Sequence, residues 1–276
     1  MELPLALQLN PLEHTRDSNL FEGMPWLDGR LAAFGETLGH YGFTKQVALF
    51  ALAGLVTLVL LLRYSGQARR DPVPRGFGNF LEALLLFVRD QVTRPFMGEE
   101  GDRYLPVVWT FFIFILVANL LGLVPFFDYL GHGGNTATGS IWLTGALAIC
   151  SFLLYHAIGI VRHGPVRYAR SLIPHVPAFV LPIIIPVELL SILVKPCALA
   201  IRLFANMLAG HTLIATIIGF TLVWTNWIHW GAGISLVSFL TAVALTFLEL
   251  LVAAIQAFIF AFLTTVFLAG AVLPQH

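Results

Sequence analysis

Two long apolar stretches, at about 178–223 and 234–273, make up most of the C-terminal part of this chain. From residue 171 to the C-terminus only four side chains are charged, and all four lie inside these stretches. They are Glu188, Lys195, Arg202 and Glu249. A charged side chain at the centre of a bilayer costs about 2.5–3.5 kcal/mol by insertion scales, so such residues face protein, water or one another. We therefore expect these four residues to include the functional ones.

The overall composition indicates an integral membrane protein. Of the 276 residues, 58% are hydrophobic and 11% are charged, with no net charge, whereas soluble domains have about 25% charged residues. This excludes a disordered chain, a nucleic-acid binder that depends on basic charge, and an ordinary cytosolic enzyme. Cys150 and Cys197 stand singly in apolar runs, which predicts packing residues rather than a disulfide or a metal site. The sequence has no phosphate-binding glycine loop, no GxSxG and no HExxH, so we predict no cofactor and no nucleotide chemistry on this chain.

Apolar runs in the first part of the chain predict three transmembrane spans, at about 46–63, 104–127 and 141–161. Each is long enough to cross a hydrocarbon core of ~30 Å. Residues 1–45 are mixed and polar and are predicted to form an N-terminal external segment, followed by a membrane domain at 46–276.

A shorter segment at about 77–94 is predicted to be an amphipathic helix on the membrane surface. Docking against protein is equally compatible with its pattern. The residues on its apolar face are Phe80, Leu81, Leu84, Leu85 and Val88.

The length of the two C-terminal stretches poses a geometric problem. Forty-odd helical residues are about 60–70 Å long, twice the thickness of the membrane core. Each stretch must therefore tilt, bend or contain a turn. Pro182 and Pro186 are typical of a helix start, and Pro196 can kink a membrane helix without ending it. We favour two long, strongly tilted antiparallel helices, although four short spans also fit the sequence.

Basic residues are unevenly distributed among the connecting segments, which predicts the orientation. Segment 63–103 carries seven basic residues and segment 162–170 three, whereas 128–140 has none. Residues 1–45 carry three basic and six acidic residues. We therefore place the N-terminus outside and the C-terminus on the cytoplasmic or matrix side.

On a helical wheel of 100° per residue, four polar residues of the first long stretch form one stripe. They are Glu188, Lys195, Arg202 and Asn206. His211 falls about 180° from Arg202, on the opposite face. In the second long stretch Glu249 and Gln256 are seven residues apart and share a face.

Two interpretations of these polar residues remain open from the pattern alone. They either pair with one another inside the helix bundle or mark an ion path. Arg202 does not deprotonate and can only supply a fixed positive charge. The titratable residues Glu188, Glu249 and His211 can relay protons. Asn206 and Gln256 orient water or bond neighbouring helices, and Asn119 in the second span favours interhelical bonding.

Two segments of the chain resemble signatures of subunit a of F-type ATP synthases, the membrane stator subunit beside the rotating c-ring. These are KPCALAIRLFANMLAGH at 195–211 and LLVAAIQAFIFAFLTTVFL at 250–268. The similarity extends through VANLLGLVPF at 117–126, NTATG at 135–139 and the proline-rich run before Glu188. It covers most of the chain from about residue 75.

The resemblance implies two offset aqueous half-channels that lead protons to and from a c-ring carboxylate, coupling proton transport to ATP synthesis. Arg202 matches the family's essential arginine between the half-channels, Gln256 the glutamine facing it, and Asn206 their polar neighbour. Glu188 matches the acidic residue of the cytoplasmic or matrix-side half-channel. His211 and Glu249 match the pair that lines the opposite one. Lys195 and Asn119 are predicted to support these residues.

The resemblance also implies the setting in which the chain works. The two long helices lie nearly in the membrane plane, curved around the ring. The partners are the c-ring, the peripheral-stalk subunit b, the rest of the F-type complex and the lipid bilayer. Neither nucleic acid nor a small-molecule substrate other than the translocated ion is expected. The membrane is the bacterial inner membrane, with the mitochondrial inner membrane as the alternative.

The sequence departs from common bacterial members of the family at one pair of residues. Those members often carry an acid at the His211 position and a histidine at the Glu249 position. Here the two are exchanged, as in mitochondrial-type members. Trp142 and Gly122 also stand where many relatives have polar residues, so the outer half-channel has a different lining.

Two other classes of function remain as alternatives. A secondary transporter that works without a rotor would show inverted repeats and half-helices pointing at a midplane site. A passive assembly anchor would keep its buried charges only to hold helices together.

Overall fold

The computed structural model describes about seven tenths of the chain. The described ranges are 44–70, 76–123, 137–171, 181–225 and 231–273. Within these helices some side chains, among them those of Glu188 and His211, lie outside the described part. The predicted external segment up to residue 43 and most of the turn that was predicted at 128–140 lie outside it too.

Helices make up almost all of the described chain. The α-helices are α1 (Lys45–Arg70), α2 (Phe77–Val88), α3 (Arg94–Met97), α4 (Leu105–Leu123), α5 (Ile141–His163), α6 (Pro165–Ser171), α7 (Leu181–Thr225) and α8 (Gly231–Val272). A π-helix spans Arg89–Thr93, and 3-10 helices span Gly98–Arg103 and Ala137–Gly139.

Five of these helices are long and apolar enough to cross a membrane. The membrane-length segments are Gln46–Gly66, Leu105–Leu123, Ile141–His163, Pro182–Ile214 and Leu236–Val272. They coincide with the three predicted spans and the two long apolar stretches. The predicted class, an all-α integral membrane protein, is therefore confirmed.

The two long stretches each form one uninterrupted helix, α7 of 45 residues and α8 of 42 residues. The alternative of four short spans does not fit these helices. Pro182 lies at the start of α7, where its missing N–H costs no hydrogen bond. Pro186, predicted as a second start signal, instead lies inside the helix together with Pro196. Membrane helices tolerate such prolines because neighbouring groups satisfy the freed carbonyls.

The predicted amphipathic helix at 77–94 is helical throughout, but its regular α-helix ends at Val88 and a π-helix leads on to α3. The following π-helix places the Arg94 amide on the carbonyl of Arg89, just before Pro95, which has no amide hydrogen to donate. Leu81, Leu85 and Val88 are buried as predicted. Phe80, on the same predicted face, is 61% exposed, which a face that lies against lipid allows.

The chain divides into two compact units, and one comprises Met1–Leu55, Leu116–Leu143 and Leu203–Ile255. Its fully buried apolar residues include several alanines, whose small side chains let membrane helices approach closely. Examples are Ala53, Ala118, Leu203, Met207 and Ala253.

The other unit comprises Val56–Ile115, Thr144–Arg202 and Gln256–His276. Its core joins the C-terminal end of α8 to α5, α6 and the end of α3. The core residues are Met97, Tyr155, Tyr168, Leu268, Ala269, Ala271 and Val272. His163 lies 3.0 Å from the Val272 carbonyl oxygen, so the last turn of α5 is tied to the last turn of α8.

The two cysteines do not pack inside the chain as expected. Cys150 and Cys197 are both free and exposed. They lie on the outward faces of α5 and α7, where an apolar side chain suits lipid or another subunit.

Candidate functional site

Glu249 is buried at a close contact between α7 and α8. Its side chain is 5% exposed, and Gly210 lies directly against its carboxylate. A Cβ atom at position 210 would lie 2.9 Å from the Glu249 carboxyl carbon and 3.3 Å from its Cγ, distances that would force a shift. The missing side chain of Gly210 therefore provides the space that the carboxylate occupies.

His211 follows Gly210 on α7, so the backbone places it next to this contact. Its side chain lies outside the described part of the chain. The pairing of His211 with Glu249 therefore stays a prediction.

Asn119 of α4 is bonded to α8 at Ala253, one helical turn after Glu249. Its side chain is completely buried, and its Nδ2 donates a hydrogen bond of 3.3 Å to the Ala253 carbonyl. Its Oδ1 accepts a hydrogen bond of 2.9 Å from the Thr138 hydroxyl. The interhelical bonding predicted for Asn119 is confirmed, and it fixes the backbone that carries Glu249.

Arg202 points away from the described chain. Leu199, Leu203 and Met207 form the buried stripe of α7, and Arg202 lies off this stripe with an exposed side chain. It forms neither an ion pair nor a hydrogen bond with a described residue. Ala198 and Ala205, one turn to either side of it, are exposed as well. Small neighbours leave room for another helix to approach the guanidinium closely.

Asn206 lies one turn beyond Arg202 and is half-buried. No hydrogen bond joins it to any residue that the structure describes. The predicted polar stripe on α7 therefore includes an exposed cation followed by an amide with free bonding capacity.

Gln256 is buried on α8, with 4% of its surface exposed. Its Nε2 is buried without a hydrogen-bond partner among the described residues. The structure does not join Gln256 to Arg202 by a hydrogen bond. Two turns further along α8 the Thr264 hydroxyl lies 3.1 Å from the Ser151 hydroxyl of α5. These groups give this face of α8 polar atoms in an otherwise apolar span.

The ammonium group of Lys195 contacts an aromatic ring, and it forms no ion pair with a described carboxylate. Its Nζ lies 5.5 Å from the centroid of the Phe267 ring on α8, a favourable cation–π distance. Glu188, the other charged residue in this part of α7, has its side chain outside the described part.

Three of the contacts around these residues were missed by sequence reasoning. The pattern gave no reason to single out Gly210, Thr138 or Phe267. Among the described residues, no group of three or more His, Cys, Asp or Glu could hold a metal ion.

Comparison with known proteins identifies the relatives of this chain. Residues 47–269 match the model of the family described as ATP synthase A chain. A protein named ATP synthase subunit a from Myxococcus xanthus is 40% identical over 235 residues, which cover 84% of this chain and 74% of that protein. One of the same name from Novosphingobium aromaticivorans is 40% identical over 244 residues, 85% of this chain and 90% of that protein. A third, from Maricaulis maris, is 38% identical over 250 residues, 88% of this chain and 93% of that protein.

Proposed function

This chain belongs to the ATP synthase A chain family, and we propose that it is the proton-translocating stator subunit of a rotary ATP synthase. It has no catalytic role in ATP chemistry, which takes place on other subunits. Its task is to lead protons through two offset half-channels to and from a carboxylate on a rotating c-ring.

The exposed position of Arg202 is the observation that carries this proposal. A guanidinium stays charged at any physiological pH, and a charge inside an apolar span costs about 2.5–3.5 kcal/mol unless it is compensated. The described residues supply no counter-charge to Arg202. The cation therefore calls for an anionic partner from outside the described part of the chain, and a carboxylate on a neighbouring membrane subunit fits this requirement.

A fixed cation also explains how the two half-channels stay separate. Arg202 cannot take up or release a proton, so it does not relay protons between the two sides. It attracts the deprotonated carboxylate of the ring and repels cations that would follow a continuous water path. Gln256 and Asn206 orient the guanidinium or nearby water.

Titratable residues line the half-channels on either side of this charge in our proposal. Glu249 and His211 form the outer entrance, and the tight contact of Gly210 with Glu249 supports a fixed position for the carboxylate. Glu188 lies at the cytoplasmic or matrix-side exit, with Lys195 nearby on the same stripe. Asn119 supports the outer group through the α8 backbone.

The lengths of α7 and α8 support the proposed arrangement beside a ring. A helix of 45 residues is about 68 Å long, so it stays inside a ~30 Å core only if it tilts by about 60°. We propose that the two helices form a strongly tilted antiparallel hairpin curved along the c-ring. The N-terminus lies outside and the C-terminus on the cytoplasmic side of a bacterial inner membrane, and subunit b of the peripheral stalk holds the chain in place.

The decisive experiment replaces Arg202 in the assembled complex. In inverted membrane vesicles, Arg202→Ala should abolish ATP-driven proton pumping, measured by quenching of a pH-sensitive dye, while ATP hydrolysis by the attached head continues. Arg167→Ala, at an exposed arginine of α6, is the matched control and should pump normally. Coupled pumping by Arg202→Ala would overturn the proposal.

A second variant separates the proposal from a passive anchor. Arg202→Lys keeps the charge, so a subunit that only holds helices together would tolerate it. A lysine ammonium lacks the planar, bidentate geometry of a guanidinium and loses its proton more readily. We therefore expect Arg202→Lys to fail in pumping. Isolation of the chain without a small subunit that carries a membrane carboxylate would favour a secondary transporter.

A further inference from the structure

An open cavity lies in the unit that contains the C-terminal end of α5, and none of the residues proposed for proton transfer lines it. Its volume is about 560 Å³, and its lining combines basic, aromatic and aliphatic side chains. The lining residues are Arg103, Tyr104, Ala157, Ile158, Val161 and Arg162. Arg103 and Tyr104 directly precede α4, and the other four belong to the last two turns of α5.

Two arginines form the polar end of this cavity, and only one of them, Arg162, has its charge paired with a described carboxylate. Arg162 donates a hydrogen bond of 2.6 Å to the Glu100 carboxylate and one of 3.3 Å to the Tyr104 hydroxyl. Arg103 is exposed and forms no ion pair or hydrogen bond within the described ranges.

Asp102, the residue before Arg103 in the chain, already pairs with two other arginines. Asp102 accepts from Arg89 and from Arg94, at 3.1 Å in each case. Arg103 therefore forms no ion pair with a carboxylate that the structure describes, and the lining of the cavity contains two arginines and no acidic residue.

The remaining wall is apolar and faces outward. Val161 is 86% exposed and Ala157 is exposed too, although both lie in a membrane-length helix. Leu153, 59% exposed, continues this surface one turn further into the span. From Ala157 to Arg162 the helix rises about 7.5 Å, so the basic and apolar ends are separated by a distance typical of a lipid headgroup and its first methylene groups.

We propose that this cavity binds an anionic phospholipid. Arg103 and the Tyr104 hydroxyl hold the phosphate, and an acyl chain lies along Ala157, Val161 and Leu153. Basic pockets at the ends of membrane helices bind such headgroups through charge-assisted hydrogen bonds. The inference goes beyond the proposed function, because that function assigns no role to any of these residues.

Two features of the cavity favour this ligand over its alternatives. A zwitterionic lipid would bring its own ammonium group next to Arg103, whereas a lipid with net negative charge supplies a counter-ion. A free phosphate would leave the apolar half of the cavity exposed to water, whereas an acyl chain buries it.

Photolabelling of the full chain, in the complex with which it co-purifies, tests this binding site. The complex is reconstituted with phosphatidylglycerol that carries a diazirine on one acyl chain, irradiated, and digested to locate the label. Label is expected on the α5 segment around Leu153–Val161. In Arg103→Gln it should fall about fivefold, the effect of one basic residue on binding to anionic lipid. Arg167→Gln, an exposed arginine outside the cavity, should label like the parent chain.

A second variant and three competitors make the test independent of the charge change. Ala157→Trp fills the groove without altering charge and should reduce labelling as well. Excess unlabelled phosphatidylglycerol should displace the probe, while phosphatidylcholine and inorganic phosphate should not. Equal competition by phosphatidylcholine would overturn the anionic preference, and displacement by inorganic phosphate alone would identify a free-anion site instead. Unchanged labelling in both variants would rule out the cavity as a lipid site.

Discussion

Glu249 of α8 and Gly210 of α7 lie in such close contact that the carboxylate occupies the space where a side chain at position 210 would be. Both residues belong to the same unit. A buried carboxylate that must change its charge during turnover requires a defined position, because small shifts alter its contacts with water and with its partners. Because Gly210 has no side chain, the surface of α7 leaves room for the Glu249 carboxylate at this position.

Substitution of Gly210 by alanine should therefore damage the site. In an ordinary helix, alanine stabilises relative to glycine by about 0.5–1 kcal/mol. Here its methyl group would meet the carboxyl carbon at 2.9 Å, and overpacking of this kind costs about 1–3 kcal/mol. We expect Gly210→Ala to reduce both ATP-driven proton pumping and the thermal stability of the complex.

Gly66→Ala is the control for this substitution, since a Cβ at position 66 of α1 would meet nothing within 4 Å. It should leave pumping unchanged and should not lower stability, since alanine is the better helix former. If Gly210→Ala behaved like this control, α7 and α8 would not be in close contact in the working complex.

The hydrogen bonds of Asn119 lead to a second prediction, which concerns stability rather than transport. Asn119→Leu removes the hydrogen bonds to the Ala253 carbonyl and from the Thr138 hydroxyl. Leaving buried polar groups unpaired costs about 1–3 kcal/mol, so the thermal midpoint of the purified complex should fall.

A double-mutant cycle with Thr138→Val isolates the side-chain pair. The combined loss should be smaller than the sum of the two single losses, since both remove the same hydrogen bond. Thr110→Val is the control, because the Thr110 hydroxyl is exposed and bonds only within its own helix. Strictly additive losses would show that the Asn119–Thr138 bond contributes nothing.

The secondary structure was largely predictable from the sequence, because a long apolar segment in a bilayer has few alternatives to a helix. The four charged residues of the long apolar stretches could also be identified from the sequence, because a charged side chain inside a bilayer is energetically costly and therefore rare. The pattern at 77–94 predicted a helix but not the local change of helix type, namely the π-helix ahead of Pro95. The exposure of Phe80 was not predictable, because helical periodicity does not distinguish a protein-facing side chain from a lipid-facing one when both environments are apolar.

The contacts of the site were less predictable, since they depend on which helices lie side by side. Nothing in a single sequence links Asn119 to Ala253, 134 residues away. The same holds for Lys195 and the Phe267 ring. A wheel orders residues around one helix, but it does not identify the neighbouring helix that each face contacts.

The predicted partnership of His211 and Glu249 can be tested through its energetics. We expect each single alanine variant to lower the ratio of protons pumped to ATP hydrolysed. If the two side chains act as one unit, the double variant should lose less than the product of the single effects. Multiplicative losses would indicate that the two residues act independently. The exchanged variant, His211→Glu with Glu249→His, should recover part of the coupling, because it preserves the pair with its members reversed.

The contact of Tyr168 with His156 leads to a last prediction, which concerns how much the packing of α6 against α5 contributes to stability. The Tyr168 hydroxyl lies 2.7 Å from Nδ1 of His156, and its ring packs against Gly159, where a Cβ would lie 2.8 Å from the ring carbon Cζ. Burial raises the pKa of the Tyr168 phenol above its usual value, so the hydroxyl keeps its proton throughout the neutral pH range.

Tyr168→Phe should lower the stability of the complex by about 0.5–1.5 kcal/mol, the net value of one hydrogen bond, because the ring contact remains. Gly159→Ala should cost more, about 1–3 kcal/mol, since the ring has to move out of its position. Thermal unfolding of the purified complex measures both changes. Gly145→Ala on the same helix is the matched control, because a Cβ at position 145 meets nothing within 4 Å. Equal stability of Gly159→Ala and Gly145→Ala would contradict the packing of Tyr168 over α5, and a Tyr168→Phe variant as stable as the parent chain would show that the hydrogen bond to His156 adds nothing to it.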